Sequence, residues 1–168
     1  SFAANGEALA MTPDGQRVLA IGGTLHIINT ATDTGVASLP VGPSPVDVAI
    51  SPDGTRAIVA NRNGALYSVD LRNNIVGTQP LMLTGGVTGI TTAPNGYMYV
   101  TATNRVYEID PSTFTQKSPI SITADLGKMA TTPTGRYGLS VNRNPVTGTI
   151  LVIFDLISRT VAGQIPST

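Results

Sequence analysis

At 168 residues the chain is long enough for one domain with a sizeable core. Ten basic side chains balance ten acidic ones, and charged residues make up only 12%, which argues against nucleic acid as a main partner because phosphate binding rests on a basic surplus. Apolar residues at 41% without a block of like charge argue against disorder, no apolar run approaches the roughly 18 residues that span a bilayer, and the absence of cysteine excludes disulfides, thiolate zinc sites, iron–sulfur clusters and covalently attached c-type haem.

Residues Ser1 to Glu7 read as the tail of something upstream, with Phe2 ending a preceding strand and Asn5-Gly6 as a turn cue. The first repeat then predicts strands at Ala8–Met11, Arg17–Ile21, Leu25–Asn29 and Val36–Leu39. Its first two strands are joined by Thr12-Pro13-Asp14-Gly15, in which Pro presets φ and Gly supplies the positive φ of the return leg. The stretch Val46–Asn61, VDVAISPDGTRAIVAN, repeats this plan, and Ala93-Pro94-Asn95-Gly96 and Thr132-Pro133-Thr134-Gly135 repeat it again. The turn prolines stand 39, 42 and 39 residues apart.

In the second repeat the predicted strands are Val46–Ile50, Arg56–Ala60, Leu66–Asp70 and Ile75–Leu81. Those of the third are Thr88–Thr92, Tyr97–Thr101, Arg105–Asp110 and approximately Lys117–Ile122. The fourth gives Lys128–Thr131, Tyr137–Val141, Ile150–Asp155 and Thr160–Ile165. No segment carries helical periodicity, so the class is all-β. A period near 40 with four short antiparallel strands per unit predicts a β-propeller, with blades at approximately 8–45, 46–87, 88–127 and 128–168. Strands such as Ile150-Leu151-Val152-Ile153-Phe154 are apolar without alternation, as in a sheet buried on both faces. Each third strand ends on a polar acceptor, Asn29, Asp70, Asp110 or Asp155, suited to bonding the N–H groups of the following turn.

VGPSPVDVAISPDGTRAIVAN, residues 41–61, closely resembles the YVTN family of β-propeller repeats, and Tyr99-Val100-Thr101 echoes the motif in the third unit. The fourth unit matches more loosely, with Pro133-Thr134-Gly135 in place of Pro-Asp-Gly. The resemblance implies a propeller fold and is nearly silent on function, because the shared residues are turn and core positions. Such repeats occur in surface proteins of archaea and bacteria, in periplasmic proteins, and in relatives that act as lactonases or enzyme subunits. Family propellers close with about seven blades, within a general range of four to eight. Four blades here leave three explanations: an excerpt of a longer propeller, a homodimer completing an eight-bladed ring, or a self-closed ring. The first two are favoured, because closing at four needs roughly 90° per blade against roughly 50° at seven.

Counting back from the turn prolines makes Ala8, Asp47, Gly89 and Lys128 equivalent, at the start of each inner strand near the channel mouth. Asp47 and Lys128 read either as a polar ligand site or as solvated charges at a loop edge. On the same face, Asn61-Arg62-Asn63 and Asn142-Arg143-Asn144 repeat a tripeptide. Arg62, Asn63, Arg143 and Asn144 could fork onto carboxylates or sugar hydroxyls of a partner, or serve only as turn chemistry. The single histidine, His26, aligns with Tyr67, Tyr107 and Val152 inside the third strand and reads as packed. One histidine and no cysteine assemble neither a Ser/His/Asp triad nor a His-rich metal site. Beyond Asn73-Asn74 and Asp125, no carboxylate loop has calcium-ligand spacing.

No catalytic residue, metal or cofactor is therefore assigned. The expectation is a non-catalytic binding or scaffold module, exported to the periplasm or cell surface, with a protein or glycan partner. Low charge and abundant Gly, Thr, Ser and Asn favour export. No signal peptide is visible, and the start at Ser1 reads as a processing site or an excerpt boundary. The alternative is a lactonase-like hydrolase, for which only Asp47 and Glu7 offer acids, or the propeller subunit of a redox enzyme.

Overall fold

The structure, a computed structural model, describes residues 8–144 and 148–166. Phe2, Asn5-Gly6, Glu7 and the Pro145 of the Asn144-Pro145 turn lie outside the described residues. Eighteen strands and no helix form among the described residues. Blade 1 is β1 (Ala8–Met11), β2 (Arg17–Ile21), β3 (Leu25–Asn29) and β4 (Thr34–Leu39). Blade 2 is β5 (Pro45–Ile50), β6 (Arg56–Asn61), β7 (Ala65–Asp70), β8 (Ile75–Val76) and β9 (Leu81–Met82). Blade 3 is β10 (Val87–Thr92), β11 (Met98–Ala102), β12 (Arg105–Asp110), β13 (Thr115–Gln116) and β14 (Ile120–Ser121). Blade 4 is β15 (Leu126–Thr131), β16 (Tyr137–Asn142), β17 (Thr149–Asp155) and β18 (Thr160–Pro166). Within each blade the strands pair antiparallel in chain order. The fold is an all-β propeller of four-stranded blades, as the period of the turns predicts.

The outer strand of blades 2 and 3 departs from the expected single run. β8 pairs with one end of β7 and β9 with the other, and β13 and β14 divide β12 in the same way. Between each pair of short strands stands a proline, Pro80 or Pro119, which has no N–H to give the ladder. Blades 1 and 4 have no proline there, and their outer strands run through with bulges, one in blade 1 at Ile27/Ile28 and two in blade 4 at Thr149/Leu151 and Ile153/Phe154.

The turns explain why the period is so legible. In blade 2, Gly54 takes φ 70° and donates to the Ser51 carbonyl at 2.8 Å. Ser51 Oγ donates to Asp53 Oδ1 at 2.5 Å and accepts from the Arg56 N–H at 3.0 Å. Thr12 and Asp14 repeat this bond at 2.6 Å, while blade 3 has Ala93 in place of the hydroxyl and a turn one residue shorter. At the next turn Asp70 Oδ1 accepts from the Arg72 N–H at 2.8 Å, Asp110 from Ser112 at 2.8 Å, Asp155 from Ile157 at 3.0 Å, and Asn29 from Ala31 at 2.9 Å.

The core lies between blades. Leu19, Ile21, Leu25 and Ile27 of blade 1 meet Val48, Ile50, Val59 and Val69 of blade 2. Ala49, Ile58, Ala60 and Leu66 then pack on Ile90, Met98, Val100 and Tyr107 of blade 3. Tyr99 and Val106 face Met129, Val152 and Phe154 of blade 4. Successive inner strands β1, β5, β10 and β15 are neighbours in that order. Among the described residues no cluster joins blade 4 to blade 1, so the four blades form an open arc. Of the three expected arrangements, the self-closed ring differs from this open arc.

The turn carboxylates make the fold acid-sensitive. The hydroxyls of Thr12, Ser51 and Ser112 hold Asp14, Asp53 and Asp110 below the ordinary carboxylate value, the Asn73 amide does so for Asp70, and the Ser158 N–H for Asp155. A carboxylate lowered on folding contributes stability that is full above its unfolded pKa and disappears as pH falls through the folded one. Urea midpoints are therefore expected to fall as pH drops below about 4. The gap between the native chain and Asp53→Ala should narrow over the same range.

Candidate functional site

Three inner strands open with a bulge, between Pro45 and Asp47, Val87 and Gly89, and Leu126 and Met129. A bulge re-aims the side chains beside it. Asp47, Gly89 and Lys128 thereby come level on consecutive blades. Asp47 is buried: Oδ2 accepts from the Ile90 N–H at 3.1 Å, and Oδ1 accepts from its neighbour Val48 at 3.1 Å. Lys128 Nζ stands 3.2 Å from the same Oδ1, two blades away along the chain. Gly89 makes this reach possible, since a Cβ there would lie 2.9 Å from Lys128 Cγ and 3.2 Å from Asp47 Oδ2. The two charges singled out by counting residues are one ion pair laid across the third blade.

That arrangement decides the chemistry. The Asp47 carboxylate is occupied by two amides and an ammonium, so it serves as a tie between blades 2, 3 and 4. The Lys128 side chain remains largely exposed at the mouth, where it can meet an anion. Among the described residues no three His, Cys, Asp or Glu side chains stand close enough to share a metal ion.

The repeated tripeptides divide by role. Asn61 is fully buried, donates Nδ2 to the Val41 carbonyl at 2.7 Å and accepts from the Ser44 N–H at 3.1 Å. Asn142 does the same work in blade 4, accepting from the Asp125 N–H at 3.1 Å and donating to the Thr149 carbonyl at 2.9 Å. Each carboxamide pins the loop that delivers the chain to its blade. Asn63 accepts from the Ala65 N–H at 3.1 Å, and the Asn144 N–H donates to Asn142 at 3.1 Å, so both shape their turns. Arg143 is paired with Asp125 at 2.9 Å. Arg62 is exposed, its backbone held by the Ser44 carbonyl at 2.9 Å and the Val87 N–H at 3.2 Å, while no ion pair or hydrogen bond holds its guanidinium among the described residues.

Two further features escaped the sequence reading. Glu108, buried in β12, receives Lys117 from its own blade and Arg159 from blade 4, whose Nε lies 3.3 Å from Oε2. The Lys117 ammonium also sits 4.2 Å from the Tyr97 ring centre, and its bond to Glu108 raises its pKa. Burial pushes the neighbouring Tyr99 hydroxyl up, while Asn95 donates to it at 2.9 Å. The available signal was repeat alignment, because Glu108 occupies the register of Ile27, Ser68 and Ile153. The second feature is a cleft of about 460 Å³ between blades 2 and 3, at the opposite end of their strands from Asp47, lined by Asp53, Arg56, Tyr97 and Asp110 among others. His26 is half-buried with Nε2 3.0 Å from Thr24 Oγ1.

Stability measurements separate the tie from a loose surface pair. Gly89→Ala is expected to cost about 1–3 kcal/mol in urea unfolding, because Lys128 and Asp47 must move for the new methyl. Asp47→Ala should cost about 1–3 kcal/mol by stranding the buried Ile90 N–H. Lys128→Met, which removes only the exposed partner, should cost under about 1 kcal/mol.

No family model matches the chain, and no curated protein matches it. Solved structures do. A chain of the structure described as Kuenenia stuttgartiensis hydrazine synthase superposes with a TM-score of 0.91 at 17% identity, covering 99% of this chain and 50% of that one. The dihydro-heme d1 dehydrogenase NirN in complex with DHE superposes with a TM-score of 0.82 at 21% identity, covering 95% of this chain and 36% of the other. The chain thus spans half or less of the length of the structures it matches, and at these identities the likeness concerns the fold alone, a β-propeller.

Proposed function

We propose that the chain is a YVTN-type propeller module of an exported protein, binding a carboxylate-bearing protein or glycan partner on its loop face and performing no reaction of its own. One observation carries this reading: Arg62 is an unengaged guanidinium on a loop whose backbone is fastened on both sides. Asn61 locks the incoming loop, Asn63 closes the turn, and Ser44 and Val87 hold the Arg62 amide and carbonyl. With the backbone already held, only the side chain has to be ordered when this cation binds. A planar guanidinium binds carboxylates in a fork, and Asn63 stands beside it at the exposed turn. Lys128 adds a second exposed cation where its inner strand starts. Low charge and abundant Gly, Thr, Ser and Asn support export. No helix among the described residues is long and apolar enough to cross a membrane.

A second reading follows from the likeness to a synthase and to a dehydrogenase holding DHE. In it the four blades are part of the propeller of a redox enzyme, and Lys128 at the mouth meets an acidic group of the bound molecule.

Arrays of acidic and neutral glycans and of acidic peptides test the first reading. Carboxylate-bearing ligands should be selected, Arg62→Ala should weaken them about tenfold, and Arg143→Ala, whose arginine already has Asp125, should weaken them far less. Undiminished binding by Arg62→Ala overturns the assignment. Haemin titration tests the second: a one-to-one Soret shift abolished by Lys128→Glu supports it, and an unsaturable shift indifferent to Lys128 removes it.

A further inference from the structure

The arc ends in two sheet faces that nothing covers, and the repeats show what each is shaped to meet. Leu9 on β1 occupies the position of Val48, Ile90 and Met129. Those three are 4–7% exposed, each packed against the preceding blade, whereas Leu9 is 72% exposed. Met11, in the register of the buried Ile50, is 61% exposed. At the other end, Val141 on β16 matches Ile21, Ala60 and Thr101, which are 0–1% exposed, and it is 51% exposed. Ile21 and Ala60 both belong to clusters shared with the following blade. Blade 1 therefore presents a face made to receive a preceding blade, and blade 4 one made to receive a following blade.

We propose that a second copy of this chain covers both faces, blade 4 of each copy docking on blade 1 of the other, to close an eight-bladed ring. The argument is continuity with the three interfaces inside the chain: both halves of the same contact are present, each once, at opposite ends. A head-to-tail contact made twice under two-fold rotation is closed, and eight blades lie within the range that propellers adopt. Polar groups agree. The residue four places after the turn acceptor contacts the preceding blade in two blades, since Asn74 accepts from Arg17 at 3.3 Å and Arg159 meets Glu108 at 3.3 Å. In blade 1 that residue is Asp33, which has no ion pair among the described residues, and the turn of blade 4 corresponding to that of Arg17 carries Arg136, half-exposed and already paired through Nε and Nη2 with Asp155 of its own blade. This inference is independent of the loop-face reading above.

Light scattering of the 168-residue chain should give twice its 17.3 kDa at micromolar concentration. Leu9→Lys and Val141→Lys each charge one end, at exposed positions that the fold of the single chain does not need. Each variant alone should be monomeric with unchanged circular dichroism and cooperative unfolding. An equimolar mixture should regain a heterodimer, because one uncharged face of each kind survives in it. A native chain that stays monomeric, or that grows into open multimers, overturns the closed ring. A Val141→Lys variant that still dimerises alone overturns the head-to-tail arrangement, since only a blade 1 to blade 1 contact would survive that change.

Discussion

Apolar burial between sheets is the constraint on which the rest of this structure depends. A blade of four short strands has no interior of its own: its core is the gap to the next blade. Ile58 and Ala60 point one way from β6 while Ala57 and Val59 point the other, and all four are fully buried because a neighbour stands on each side. The strands consequently lose the polar alternation of a one-sided sheet. Turn chemistry then has one task, to return the chain within a few residues so that the next strand can present its own two faces. The hydroxyl–carboxylate bond of Ser51 and Asp53, and its copy at Thr12 and Asp14, perform it with hardly any side-chain bulk.

Polar side chains near the channel mouth serve this stacking before they serve any ligand. Asp47 joins the amide of Ile90 to the ammonium of Lys128, and Asn61 and Asn142 hold the loops that lead into blades 2 and 4. What remains unengaged on that face is small in number, with Arg62 foremost, and stands on backbone that is held in place. A surface built this way recognises through position more than through adaptability.

Much of the fold was legible from residue types alone. Four proline–glycine turns with regular spacing announced the blades, and the acceptors Asn29, Asp70, Asp110 and Asp155 announced the second turn of each. The split outer strands were missed because the apolar residues at both ends, Ile75-Val76 and Leu81, suggest one strand, while Gly77 to Pro80 break it and Pro80 withholds a donor. Residue counting brought Asp47 and Lys128 to equivalent positions, yet their contact depends on the empty space above Gly89, which exists only once three blades are stacked. Glu108 escaped for a related reason. An acid in a strand reads as solvated until a neighbouring blade delivers Arg159 to it.

The bond across Gly89 has a mechanical meaning beyond its energy. An arc assembled from repeats accumulates whatever angular error each joint contributes, so its curvature is the least certain dimension of the whole. A brace that skips one unit and fastens the two beside it constrains the sum of two joint angles instead of either alone. Lys128 reaching over the third blade to Asp47 is such a brace, placed at the inner radius where a small change in length produces the largest change in bend. The apolar joints set the pitch of the arc, and this lysine side chain ties two of them together at the inner radius.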